Sequence, residues 1–284
     1  MRSRLLRGGL VLAALCLTLP LAAAATGGKG KPQRIQSDQR VLFATDSTGN
    51  LLRFKANSPE SARSKQITGL PGGVVLKGID FRPATGDLYA LGSDNVVYRV
   101  NPWTAIAVAE GPAFESTPSA LNGDRIGFDF NPTVDKIRVT SDADDNIRLD
   151  PDPGGLLAKD TSLTPAGVTV VGSAYTNSSF VAFANRPTAT MLFALDVGSK
   201  PDRIWLQNPA NAGTLMSPVS LGVDLGPDAG FDIAGTTNVG YVAGTPEGLS
   251  GARLYQVDVA SGKTHQLGRI RGNVTITGLA TLQG

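Results

Sequence analysis

Cysteine is nearly missing from this chain, and so is histidine. The one cysteine, Cys16, lies in the apolar stretch near the N-terminus. The rest of the chain can therefore form no disulfide and offer no thiol nucleophile, and its core must hold the fold. The one histidine, His265, excludes a multi-histidine zinc or iron centre and leaves one imidazole base at most. It stands in "KTHQLG", on an expected outer strand. Aromatic residues make up 6% of the chain and only Trp103 and Trp205 are tryptophans, which is thin for a carbohydrate-stacking surface and weakens a glycosidase reading. There is no G-x-S-x-G elbow, phosphate-binding loop or C-x-x-C pair. Beyond the first 25 residues no apolar run is long enough to cross a bilayer.

Those first 25 residues have the pattern of a secretory signal peptide. Arg2, Arg4 and Arg7 form a basic start, Leu10 to Leu21 an apolar run, and Ala22 to Ala25 a small-residue cleavage zone. The arginines are not adjacent, which argues against a twin-arginine signal. Leu15 precedes Cys16 where a lipid-attachment site would want a small residue, so a soluble mature protein is expected, exported to the periplasm or the outside of a bacterium. Of 26 basic and 24 acidic residues, removal of three arginines leaves 23 against 24. A nearly neutral protein has no electrostatic pull toward nucleic acid, and membrane insertion is not expected. Residues 26–39 lack apolar periodicity and form a flexible leader. Residues 40–284 contain no Pro- or Ser-rich linker and form a single domain, expected to be monomeric.

Within that domain, apolar residues alternate over four to seven positions between turn signals such as "DSTGN", "GSDN" and "ASGK". The longer period is more informative. The glycine that opens "GIDFRPATGDLYAL" recurs at Gly78, Gly127, Gly172, Gly230 and Gly278, at spacings of 49, 45, 58 and 48. A second series, "LRFK", "YRVN", "IRLD", "IWLQ" and "YQVD", starts at Leu52, Tyr98, Ile147, Ile204 and Tyr255. A third is "VLFATD", "LYALGS", "IRVTSD", "LFALDV" and "GYVAGT". Each unit of about fifty residues holds three clear strands and a fainter fourth, such as "AIAVAEG", which is the signature of a propeller blade. The N-terminal segment from Arg40 begins on the second kind of strand, and "ITGLATLQ" at the C-terminus supplies only the first. The expected fold is therefore all-β, a five-bladed β-propeller of four-stranded antiparallel blades, one blade closed by both chain termini.

The motifs "GIDFRPATGDLYAL", "IGFDFNPTVDKIRVTSD", "IRLDPDPGG", "AYTNS", "LQNPANAGTL", "GFDIAG" and "ITGLA" resemble those of a family of exported bacterial proteins known only as a domain of unknown function. The resemblance covers nearly all of the mature chain. It implies export and a propeller-like fold and carries over no catalytic or binding residue. The acidic "DADDN" is where this chain departs from it.

Asp80, Asp129 and Asp232 occupy one repeated position on three inner strands. Three carboxylates converging on the axis could supply the acid, base and modulator of a glycosidase-like hydrolase. Alternatively, each accepts backbone amides of its own blade or the next and fixes blade geometry. Equivalent placement favours the second reading, because catalytic roles require unequal environments. In "SDADDNIRLDPD", Asp142, Asp144, Asn146 and Asp150 could offer oxygens to calcium. The glycine and distal glutamate of a calcium loop are missing, and an acidic hairpin turn accounts for the same residues. Arg53, Arg99 and Arg148 share a strand position, with Arg138 nearby, and could line an anionic-ligand pocket or form ion pairs. The long inserts 110–125, 176–190 and 208–230 break the symmetry, and the first and third are expected on one face of the disk. The expected function is non-enzymatic binding of a protein or polymer partner through that face, with no cofactor unless calcium binds. The alternative is the hydrolase.

Overall fold

The computed structural model describes residues 38–114 and 121–283, so the expected signal peptide, most of the leader and the centre of the 110–125 insert lie outside the described residues. The chain opens with β1 (Val41–Asp46), β2 (Asn50–Lys55) and β3 (Ser58–Gln66). Blade II follows as β4 (Leu76–Phe81), β5 (Leu88–Gly92), β6 (Val97–Val100) and β7 (Ala107–Ala109). Blade III is β8 (Ile126–Asn131), β9 (Lys136–Ser141), β10 (Asn146–Leu149) and β11 (Leu156–Lys159). Blade IV is β12 (Val170–Tyr175), β13 (Leu192–Asp196), β14 (Arg203–Gln207) and β15 (Leu215–Ser220). Blade V is β16 (Leu225–Ala234), β17 (Val239–Pro246), β18 (Arg253–Val257) and β19 (Thr264–Arg269), and β20 (Ile276–Thr281) ends the chain.

Every blade is a four-stranded antiparallel sheet, and blade I has the order β20-β1-β2-β3. The C-terminal strand pairs with β1 in the register Leu42↔Thr281, Phe43↔Ala280, Ala44↔Leu279. The ring thus closes by hydrogen bonding the two ends of the domain together within one blade. The protein is a five-bladed β-propeller.

Strand alternation explains how the blades stack. On β8, Phe128 and Phe130 face one neighbour while Gly127 and Asp129 face the other. Most junctions are filled with large apolar side chains: Phe43, Ile79, Phe81 and Tyr98 between blades I and II, and Tyr89, Leu91, Phe128 and Phe130 between II and III. The second strand of each blade carries a bulky residue opposite the repeated aspartate position. It is Phe43, Tyr89, Phe193 and Tyr241 in four blades. In blade III it is Arg138, paired in register with Asp129. The III–IV junction is accordingly polar where the others are greasy.

The fold corrects one expectation about the inserts. The segment 208–230 is mostly not a loop: 208–214 turns out of β14, 215–220 is the fourth strand of blade IV, and only 221–224 joins it to β16. The 58-residue unit is long because β16 runs from Leu225 and the 176–190 insert precedes β13.

Candidate functional site

The five inner strands meet at the axis through their glycines. A Cβ on Gly127 would stand 2.4 Å from the Ser173 amide nitrogen, and one on Gly230 would stand 2.7 Å from Leu279 Cβ. Such contacts admit no side chain, so glycine at these positions is what lets neighbouring inner strands approach. The cavity left between the strands at this level is only about 10 Å³, no more than one water.

Two residues beyond each glycine comes Asp80, Asp129, Ala174, Asp232 or Ala280. The structure brings the three aspartates together, with one oxygen from each within 4.8 Å of the others. All three are buried, at 1–2% exposure. Asp80 accepts from its own neighbour Phe81 N at 2.7 Å and from Phe130 N of blade III at 2.8 Å. Asp129 accepts from Tyr175 N of blade IV at 3.0 Å. Asp232 accepts from Ile233 N at 2.6 Å and from Thr281 N of blade I. Each carboxyl therefore stitches its blade to the next at the same backbone position, one residue past the equivalent site. Alanine at 174 and 280 leaves the IV–V and I–II junctions without this stitch.

Five of the six oxygens accept backbone N–H groups. The sixth, on Asp129, accepts no backbone N–H and belongs to a cluster that includes Asp232, and buried carboxyls this close hold a shared proton. Asp129 has the fewest donors and is the group that holds it. Burial, and then the charges of Asp80 and Asp232, keep Asp129 well above the usual carboxylate range. Burial and the charge of Asp232 raise Asp80 too, against the pull of the Phe130 and Phe81 amides. Burial lifts Asp232 to about 6, with its backbone donors opposing. A divalent cation could in principle span oxygens at this separation. Here the donors already in place leave little capacity to ligate one.

These shifts fix the sign of the pH dependence. A carboxyl raised in the folded state contributes stability that is complete below its unfolded value, about 3.9, and is lost as pH rises through the folded value. The cluster's contribution should fall by on the order of 2–3 kcal/mol between pH 4 and pH 8. Urea unfolding at a series of pH values measures it. A profile that is flat or rises across this range would rule out a protonated cluster.

The other end of the axis is covered. The segment from Thr176 leaves blade IV and reaches blade II, which is not its neighbour, so it crosses beneath the carboxyls. Val181 N donates to Pro83 O at 3.3 Å, and the Phe180 ring stands edge-on to Phe81 at 6.2 Å. Asn177 N donates to Asn238 Oδ1 of blade V at 2.8 Å. The 176–190 insert is thus a plug. On the opposite, loop-bearing face the axis opens into a cavity of about 140 Å³ lined by Ser47, Lys77, Asp124, Arg125, Asp228 and Thr277, among others. Arg125 Nε pairs with Asp228 at 2.9 Å across this mouth, and Lys77 Nζ donates to Gly123 O at 2.9 Å. Sequence reasoning missed these residues. The signal was the position just before each ring glycine, where Lys77, Ile126, Val171, Ala229 and Thr277 differ in every copy.

The four residues considered for calcium are not brought together. Asp142 accepts from Arg125 N and pairs with its guanidinium at 3.5 Å. Asp144, in the left-handed region at φ 63°, accepts from Gly167 N. Asn146 opens β10 and is buried, with Oδ1 accepting from Arg138 at 2.7 Å. Asp150 lies beyond the far end of that strand and holds Lys136 at 2.8 Å. Asp142 and Asp144 belong to the hairpin turn between β9 and β10, and all four residues have oxygens committed to partners. Nor do the four arginines line one pocket. Arg99 pairs with Glu110, Arg148 with Asp160, Arg53 stacks on Trp103, and Arg138 is buried at 2% exposure. His265 is exposed on β19, the outermost strand of blade V.

The sequence matches the model of the family described as Domain of unknown function (DUF4394) over residues 50–280, and the chain belongs to that family. No curated protein matches it. A structural genomics protein of unknown function from Bacteroides thetaiotaomicron is similar in fold, with a TM-score of 0.50 at 12% identity, covering 87% of this chain and 64% of that one. The Dos1 propeller matches with a TM-score of 0.42 at 14% identity, covering 76% of this chain and 54% of that one. A chain of the COPII outer coat vertex matches at 0.44 and 11% identity, over 80% of this chain and 57% of that one. This chain spans less than two thirds of each of these longer chains.

Proposed function

We propose that this is an exported, non-enzymatic binding propeller that engages a protein or polymer partner through its loop-bearing face, at the axial mouth. The observation carrying this reading is the commitment of Asp80, Asp129 and Asp232 to backbone amides at 1–2% exposure. A glycosidase needs its acid and its base or nucleophile on either side of a bound sugar. The three carboxyls are buried and engaged by backbone amides, which leaves no exposed pair to flank a sugar. The mouth, in contrast, is open and presents both signs of charge from Lys77, Arg125, Asp124 and Asp228. Such a mixed rim on a rigid ring suits recognition by complementary polar groups.

Two assays on the secreted chain test it. Chromogenic glycosides and esters should give no turnover above buffer, and turnover that disappears in Asp129→Asn would restore the hydrolase. Immobilised arrays of peptides and uncharged oligosaccharides should retain the protein, and Ser47→Trp, which fills the mouth from an exposed position, should abolish retention with an unchanged melting temperature. Retention indifferent to that substitution, or no retention at all, would remove the mouth as the binding site.

A further inference from the structure

On the outer strands of blades I and II, away from the axis, lies a second feature that the proposed binding site does not use. Trp103 sits in the turn between β6 and β7 and is 58% exposed, an unusual cost for so large an apolar ring. The turn holds it firmly: Asn101 Oδ1 accepts from Trp103 N and Thr104 N, each at 2.9 Å. The indole leans edge-on against Phe43 of blade I at 6.0 Å, and the Arg53 guanidinium lies 4.9 Å from its centroid. Together with Arg63, Lys65, Leu51 and Pro102, these two side chains wall a groove of about 240 Å³.

The charge in this groove is one-sided. Arg53 and Arg63 stand directly opposite each other on β2 and β3, and Leu51 faces Lys65 one pair further along the same side. Like charges on opposed cross-strand positions repel and destabilise a sheet. Among the described residues no carboxylate pairs with Arg53, Arg63 or Lys65, whereas Arg99 and Arg148 at the equivalent strand position each have one. Three cations beside a fixed aromatic wall call for a ligand that is anionic and has an apolar face.

We propose that this groove binds an acidic saccharide, a uronate unit of an oligosaccharide or polysaccharide, by stacking the apolar face of the sugar on Trp103 and pairing its carboxylate with Arg53, Arg63 and Lys65. A nucleotide fits less well. The charged side chains are donors only, the Ser64 hydroxyl is the one neutral polar side chain in the lining, and no second aromatic closes over a base. One tryptophan is enough here because a single ring is held. The site is independent of the axial mouth.

Titration of tetragalacturonate into the full chain, followed by calorimetry and by tryptophan fluorescence, tests the assignment. Trp205 is 9% exposed, so saturable quenching reports on Trp103. Binding should weaken at least tenfold in Arg63→Gln/Lys65→Gln and in Trp103→Ala, fall with added salt, and be unaffected by Ser47→Trp. Maltotetraose, the uncharged comparison, should bind at least tenfold more weakly. Absence of saturable tetragalacturonate binding overturns the proposal. So does binding that Trp103→Ala leaves unchanged, which is mere ion exchange, or tighter binding of adenosine monophosphate than of the uronate.

Discussion

Asp80→Asn is expected to lower the unfolding free energy by about 2–3 kcal/mol, while Asp129→Asn leaves it unchanged at pH 5 and raises it by about 1 kcal/mol at pH 8. The two residues occupy the same repeat position, so the difference lies in what surrounds each oxygen. Both oxygens of Asp80 accept backbone amides, from Phe81 and from Phe130 in the next blade. An asparagine there must turn its NH₂ group toward one of those donors, losing that bond and orphaning an amide at the axis. Asp129 accepts one amide and shares its other oxygen with Asp232. Asparagine reproduces that arrangement: its carbonyl accepts from Tyr175 N and its NH₂ donates to Asp232, as the protonated acid does. It also removes the cost of keeping a proton at high pH, so the stability profile of Asp129→Asn should be flatter than that of wild type. Urea unfolding of the three proteins at pH 5 and pH 8 decides it. Equal losses for both variants would mean that Asp129 is ionised and that the shared proton does not exist.

The propeller was legible because each blade repeats an inner strand whose glycine and aspartate answer to backbone, not to solvent. Gly78 and its four equivalents cannot vary without a clash, so the period survives in them where ordinary surface positions drift. The closure of blade I was legible from the mismatch of strand types at the two ends. The outer strands were faint for a physical reason. In β15, "LMSPVS", only Leu215 is buried, and Pro218 is tolerated because the strand is an edge. A strand with one buried residue has no alternation to read, so 208–230 looked like a loop. The convergence of Asp80, Asp129 and Asp232 followed from the repeat, but their inequality did not. It depends on Ala174 and Ala280, which break the ring of carboxyls and leave Asp129 and Asp232 to share a proton. The plug was equally hidden, since nothing in "TNSSFVAF" says that Phe180 will cross to Phe81.

Arg138→Met is expected to have the largest effect of any single substitution considered, about 3–5 kcal/mol of lost stability. At its position the other four blades place Phe43, Tyr89, Phe193 and Tyr241, so an apolar side chain could be thought an improvement. The surroundings have been rebuilt for a cation. Nη1 donates to Asn146 at 2.7 Å and to Asp160 at 2.6 Å, and Nη2 donates to Asn211 of blade IV at 2.6 Å. Gln207 of blade IV also donates to Asn146, at 3.2 Å. Arg148 holds Asp160 from the more exposed side at 2.8 Å, and together the two guanidiniums keep Asp160 below the usual carboxylate range despite the burial that opposes this. Methionine would keep the stem and delete the hub, leaving the Asn211 carbonyl without its donor and Asp160 with half its compensation. Arg138→Lys should recover little, because one ammonium cannot reach acceptors on two blades in the planar fan that the guanidinium fills. Paired denaturation curves of both variants measure the junction directly. A loss under about 1 kcal/mol for methionine would mean that blades III and IV are held by Leu163, Val170 and Trp205 alone, and that the polar network is incidental. A full loss would mean that this propeller closes through four apolar junctions and one ionic hinge, whose stability depends on a single buried arginine.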